Sequence, residues 1–173
     1  MKQRRQKKLS RHLFTAIMQS NAFRARAALR PGADPNRADA EGTTPLYEAA
    51  VGGRTEIVRL LLEAGASPDA ESRGIGADGT PLCAAACWGY VDTVRELLAH
   101  GADPDLREED GAGRSPLDWA NNGAHPETAA LLTSSGAVGY GTQTSLRCLT
   151  GQGEPFVWFS HPGASGVAFK LLP

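Results

Sequence analysis

The chain has 173 residues, enough for one ordinary domain; 41% are hydrophobic but only 6% aromatic, so small side chains must fill the core and let helices approach closely. A formal net charge of −1 gives no overall pull toward nucleic acid or an anionic membrane, and no apolar run reaches the length of a bilayer span. Three cysteines without a paired framework, and no signal sequence, lead us to expect a reducing, cytoplasmic setting, and the Ala, Arg, Gly and Pro richness suits a GC-rich bacterial genome.

The chain opens with MKQRRQKK, which carries five positive charges. We read residues 1–9 as a basic N-terminal extension. Such a run could touch phosphate or an acidic partner, but it is short and lacks interleaved aromatics that stack on bases, so a solvated extension of the first helix is the plainer reading. Ser10 is a candidate N-cap for RHLFTAIMQS and Asn21 for AFRARAALR. Counting back twenty residues from Gly32 lands on His12, which puts Leu13, Ala16 and Ile17 at the places of Leu46, Ala49 and Ala50 further on. Residues 10–36 are therefore a degenerate first repeat, with Arg11, Gln19, Arg24, Arg26 and Arg30 as its polar outer face.

Residues 42–71, GTTPLYEAAVGGRTEIVRLLLEAGASPDAE, recur as 79–107 and again as 114–137. Pro45 to Gly65, Pro81 to Gly101 and Pro116 to Gly136 are each twenty residues apart, whereas the returns from Gly to the next Pro are thirteen, sixteen and fifteen. The helical pair has fixed length and the connections vary, as stacking requires: a helix that gained a residue would lose register, while a surface loop absorbs insertion cheaply. Thr44, Thr80 and Ser115 can cap a first helix that starts at proline. Gly53 and Gly89 permit the reversal into a second helix, and Gly65 and Gly101 suit its left-handed C-cap. In the last copy Ala124 takes the place of Gly53 and Gly89, and the helix turns polar at Thr133, Ser134 and Ser135, as in a C-terminal cap. The repeats run at about 10–36, 39–71, 78–106 and 111–137, together a domain over 10–137. No single copy can bury its apolar face, but four stacked copies can.

The pattern T-P-L, then A-A, then G, then V-x-x-L-L closing on G-A-D resembles the ankyrin repeat. The resemblance implies an all-α helical solenoid of stacked helix-turn-helix repeats with β-turn or hairpin fingers. Where that family usually has His after Thr-Pro-Leu, a residue that helps bond one repeat to the next, this chain has Tyr47, Cys83 and Asp118. Residues 138–173 do not continue the pattern and stay an unassigned tail, Gly-rich with an apolar knot, PFVWF, at 155–159. Three readings of it are open: a flap docked on the last repeat, a partner-dependent segment, or an out-of-frame extension.

Catalysis needs converging groups, and the four His, at 12, 100, 125 and 161, share no position of the repeat. His100 stands where a positive charge favours a helix C-terminus. Cys83 and Cys87 lack further ligands at metal spacing. Asp34, Asp39, Asp103 and Asp110 are in turns, where carboxylates bond to backbone N–H groups. We expect no cofactor, no metal and no enzyme activity.

The resemblance instead implies a partner protein docked on a concave groove made by finger tips and inner helices. Carried over by register, the finger positions include Glu41 and Thr43, then Glu71, Arg73 and Asp78, then Arg107, Glu109 and Arg114. The inner-helix positions are Val51, Cys87, Trp88 and Asn122. Gly52 and Gly123 hold the place of Trp88 in the flanking copies, so stacking does not demand a large side chain there, and Trp88 is a natural interface anchor. The competing expectation is that it packs across the gap left by its small neighbours or against the 71–79 finger. Trp119 is expected in packing between repeats. The resulting expectation is a monomeric, non-catalytic protein-binding module that does not contact membrane. Two alternatives are nucleic-acid or anionic-surface binding through the basic N-terminus, and an accessory or inhibitory (immunity-type) subunit of an enzyme.

Overall fold

A computed structural model describes residues 2–74, 77–108 and 111–138. The expected flap or tail at 138–173 therefore lies, beyond Val138, outside the described residues. Within them the repeats form four helical pairs: α1 (Lys2–Met18) with α2 (Ala22–Leu29), α3 (Pro45–Val51) with α4 (Thr55–Glu63), α5 (Pro81–Cys87) with α6 (Val91–Ala99), and α7 (Pro116–Asn122) with α8 (Pro126–Ser134). Inner helices α1, α3, α5 and α7 contact one another in that order, and outer helices α2, α4, α6 and α8 do likewise. Between α4 and α5 the finger lengthens into an antiparallel hairpin, β1 (Ser72–Gly74) and β2 (Ala77–Gly79), with Arg73 opposite Asp78.

The helices start where the sequence indicates. Thr44, Thr80 and Ser115 each accept a hydrogen bond from the amide three residues on, and each following proline begins its helix. Asn21 caps α2 in the same way, accepting from the Arg24 amide at 2.9 Å. Ser10 does not cap α1. The helix runs on to Lys2, because Gln3 to Leu9 contains no breaker and consists of straight-chain helix formers. Its added turns are held by Gln6 Nε2 donating to Gly32 O at 2.8 Å and Arg5 to Pro31 O at 3.4 Å. Residues 2–9 are thus the first turns of α1, an extension of the first helix as the plainer reading has it.

Burial follows register. Leu13, Leu46, Leu82 and Leu117 occupy one place in the four copies and are all buried, as are Ala16, Ala49, Ala85 and Ala120. Alanine there keeps the inner helices thin enough to lie side by side. The ends of the stack break the rule in the direction solvent requires. Ile57, Thr93 and Thr128 are buried against the preceding repeat, whereas Arg24, at the same place in the first described copy, is exposed. At the other end Asn121 and Thr133 are exposed where Ala50, Ala86 and Leu62 are buried.

Each reversal between paired helices passes through one left-handed residue: Ser20 (φ 51°), Gly53 (φ 60°), Gly89 (φ 69°) and Ala124 (φ 55°). The next repeat explains which of them must be glycine. A Cβ on Gly53 would lie 2.8 Å from the Tyr90 ring, and one on Gly89 would lie 2.5 Å from the His125 ring. Over Ser20 the corresponding residue is Arg54, whose Nε donates to Ser20 Oγ at 3.1 Å, so a side chain is accommodated. Ala124 belongs to the last copy and is exposed.

A second ladder ties the repeats at their other end. Asn36 accepts from the Ser67 amide (2.8 Å) and donates to Gly65 O (2.9 Å); Asp69 accepts from the Asp103 amide (3.0 Å) and Asp105 from the Val138 amide (2.7 Å). All three stand four residues after the glycine that closes their own repeat. On the outer helices Thr55 and Thr93 hydroxyls meet at 2.8 Å, and Arg59 forms a two-pronged pair with Glu96 at 2.9 and 3.1 Å. The Arg59 hydrogen bond holds the Glu96 carboxyl below the usual range.

Two stability outcomes follow. A left-handed backbone costs an L-residue about 1–2 kcal/mol, so Ala124→Gly should raise the urea-unfolding free energy by about 1 kcal/mol with unchanged slope. Thr128 corresponds to Thr93, but Val91 stands where Thr55 would supply a hydroxyl, and its buried Oγ1 has no partner among the described residues. Thr128→Val removes that orphan and should stabilise by about 1 kcal/mol in the same assay; a loss of stability would show that the hydroxyl is satisfied.

Candidate functional site

The face built by the inner helices and fingers carries the candidate site residues. The first finger is closed by Asp39, whose Oδ1 accepts from the Glu41 and Thr43 amides at 2.9 and 3.0 Å. This turn leaves Glu41 exposed and folds Thr43 inward, so Thr43 is buried beneath the finger and offers no side chain at its tip. The finger then docks on the hairpin: Arg73 N donates to Gly42 O at 3.2 Å and Thr44 N to Ser72 Oγ at 3.4 Å. On the hairpin Arg73 is exposed and paired with the half-buried Glu71 at 3.4 Å. Asp78 is fixed opposite Arg73 by strand register, while Glu109 lies outside the described residues.

The third finger is internally braced. Arg107 Nη1 donates to Gly113 O at 3.2 Å and approaches Asp118 Oδ2 at 3.5 Å, so Arg107 is occupied in holding its own loop. Asp118 completes a capping box with Ser115. Trp119 is half-buried against the core and also binds the finger before its own helix. Its Nε1–H donates to Glu108 Oε2 at 2.7 Å, and the Arg114 guanidinium lies 4.7 Å from its ring centroid. The indole thus fixes Glu108 and Arg114 above α7, a role that packing between repeats alone does not describe.

Along the inner helices Val51 and Cys87 are half-buried and Asn122 is exposed. Trp88 ends α5 and is 60% exposed. That exposure means most of the indole is not consumed by packing across the gap or against the hairpin. Sequence reasoning missed Met18, 68% exposed at the place that Val51, Cys87 and Asn122 hold in later copies. The count from Gly32 back to His12 already contained that signal.

The two described cysteines differ in environment. Cys83, the residue after Thr-Pro-Leu, is buried and directs its thiol to Arg114 O at 3.7 Å, so it bridges to the next finger where the family would place His. Burial pushes its thiol far above the ordinary value, with Glu108 adding to the rise and the Thr80 hydrogen bond opposing it. Burial also raises Cys87, as does the Glu108 carboxylate, against the pull of Arg114. Both shifts oppose the thiolate that nucleophilic or metal chemistry uses. Among the described residues no group of three or more His, Cys, Asp or Glu is placed to hold a metal ion. No described helix is long and apolar enough to cross a membrane.

Comparison with known proteins agrees with this geometry. The family model described as ankyrin repeats (3 copies) matches residues 4–72 and 71–140. Among curated proteins, the chain is 42% identical over 57 residues to a 2-5A-dependent ribonuclease of Mus musculus, covering 32% of this chain and 8% of that protein. It is 40% identical over 62 residues to potassium channel KOR1 of Oryza sativa subsp. japonica, covering 36% of this chain and 7% of that protein. The matched segments therefore span less than a tenth of either relative.

The raised Cys83 thiol has a consequence for stability. Above the ordinary thiol value of 9.0 the unfolded chain loses this proton while the folded chain keeps it. The unfolded state then binds fewer protons, so stability is full below that pH and falls as pH rises above it. Denaturant midpoints of wild type should decline more steeply between about pH 9 and 11 than those of Cys83→Ala; equal slopes would place the thiol in contact with water.

Proposed function

This chain belongs to the ankyrin-repeat family, and from that premise we propose that it is a non-catalytic module that binds a partner protein on the concave groove of its inner helices and fingers. Ankyrin repeats generally mediate protein–protein interaction. The observation that carries the reading for this chain is Trp88, 60% exposed at a place where the neighbouring copies have only glycine. Exposing an indole to water opposes the hydrophobic effect. A rigid aromatic with a polar N–H is the side chain most enriched among residues that dominate binding energy.

Around that anchor we assign contact roles to Val51, Cys87 and Asn122 on the helices and to Glu41, Glu71, Arg73, Asp78, Glu109 and Arg114 on the fingers. Arg107 contributes by bracing its finger, and Thr43 by closing its own. The two relatives support the same reading from another direction. One is named a ribonuclease and the other a channel, so what they have in common with this chain is a repeat segment rather than an activity. We further infer a reducing, cytoplasmic setting from the two free described thiols. An inhibitory subunit of an enzyme is one form this module could take.

The test is capture of partners from the native host with wild type and Trp88→Ala, followed by quantitative binding to whatever is captured. The truncation should leave the circular dichroism spectrum and melting temperature unchanged, because the side chain is exposed. It should weaken binding by about 2 kcal/mol, roughly thirtyfold. Undiminished binding would remove Trp88 from the interface.

A further inference from the structure

We propose that the N-terminal end of this face is a subsite for an acidic peptide segment that bears an apolar side chain. The inference rests on the reading of the face as a protein-binding surface, and adds the chemistry of the partner. Helix α1 has 17 residues where its counterparts α3, α5 and α7 have seven. The added length carries charge on one side. Arg4, with Lys7 and Lys8 three and four residues on and Arg11 seven on, shares a stripe with Phe14 and Met18. Across from them the first finger contributes Arg37, and together they enclose a groove of about 740 Å³.

The charges in this groove are not spent on the fold. Arg4, Lys7, Lys8, Arg11 and Arg37 have no side-chain hydrogen bond or ion pair among the described residues. Arg5, on another side of the same helix, donates to Pro31 O, and Arg24 donates to Gln19 Oε1. The one carboxylate in the groove, Asp39, already accepts the two amides that close its finger. Five cations therefore surround an opening with one engaged anion. Like charges gathered at this spacing repel one another, and an anionic guest relieves that repulsion.

The apolar residues distinguish among anions. Met18 is 68% exposed and Phe14 half-buried, so the groove passes from a charged stretch to an apolar one. An exposed thioether is an adaptable surface for an aliphatic or aromatic side chain. Single-stranded nucleic acid takes successive aromatic platforms, and this groove has one aromatic residue. The stripe from Arg4 to Arg11 covers about 10 Å of helix, which matches roughly three residues of extended peptide. Carried on to Met18 the stripe covers about 21 Å, so two or three carboxylates followed by an apolar residue fit it.

The experiment selects short random peptides displayed against the full chain, then measures the enriched peptides by fluorescence anisotropy at low and physiological salt. Enriched peptides should combine Asp or Glu with an apolar residue and bind more weakly as salt rises. Binding should fall roughly tenfold or more in Lys7→Glu/Arg11→Glu and severalfold in Met18→Ser. Arg24→Glu, across α1 from the groove, should have no effect. The proposal is overturned if the enriched peptides carry no acidic excess, if none is enriched, or if charge reversal leaves binding intact. It is also overturned if oligothymidylate or phosphatidylserine vesicles bind through Lys7 and Arg11 while acidic peptides do not. Trp88→Ala separates the two levels: partner binding lost in Trp88→Ala but unaltered in the α1 variants rejects this subsite alone. Partner binding insensitive to both rejects the groove reading itself.

Discussion

Between the two helices of each repeat one residue takes a left-handed conformation, and the side chain that follows the same turn in the next repeat lies directly upon it. Tyr90 covers Gly53, His125 covers Gly89, and Arg54 reaches Ser20. Close approach at this point sets the distance between repeats. It also fixes the helix lengths, because the residues four beyond each closing glycine must still meet an amide of the neighbour. Asn36, Asp69 and Asp105 do so at 2.8, 3.0 and 2.7 Å. A one-residue change inside a helix would break both ladders, whereas a longer finger breaks neither. Hence the hairpin of β1 and β2 is tolerated, and the variable length of the chain is gathered at the finger edge of the inner-helix face.

That division separates repeated framework positions from those that differ between copies. Leucine, the alanine pairs and the capping Thr or Ser are repeated because each must contact the adjacent copy. Met18, Val51, Cys87 and Asn122 share a register but not a chemistry, and Gly52, Trp88 and Gly123 do likewise. What each of these places accepts depends on its neighbour: a Cβ on Gly52 would meet the Arg54 side chain and one on Gly123 the His125 ring and Cys87 O, whereas Trp88 extends into solvent. The same logic describes the ends: Arg24 at the first and Asn121 and Thr133 at the last are polar where an inner repeat would be buried.

Much of this was legible in the sequence because it rests on repetition and on local backbone chemistry. The proline-to-glycine spacing located the helices, and Thr44, Thr80, Ser115 and Asn21 announced their caps. What was not legible depended on how side chains meet in space, near or far along the chain, rather than on residue type. Ser10 looks like a cap, yet Gln6 and Arg5 find acceptors at Gly32 and Pro31, 26 residues away, and the helix continues past it. Thr43 is polar and lies in a finger, but the Asp39 turn folds it inward. Trp119 offered no sign that Glu108 and Arg114 would meet it. The basic run at the N-terminus reads as a solvated extension of the first helix, and nothing in its residues signals that α1 places Arg4, Lys7 and Lys8 around one groove with Arg37.

The central claim is that the partner meets the inner-helix and finger face, leaving the outer helices in solvent. Hydroxyl-radical footprinting of the chain with its captured partner addresses this directly, since exposed aromatic and sulfur-bearing side chains report on both sides of the stack. The account predicts that Trp88 and Met18 become protected while Phe23, 82% exposed on α2, stays as reactive as in the free chain. Protection of Phe23 with Trp88 and Met18 unchanged would contradict it.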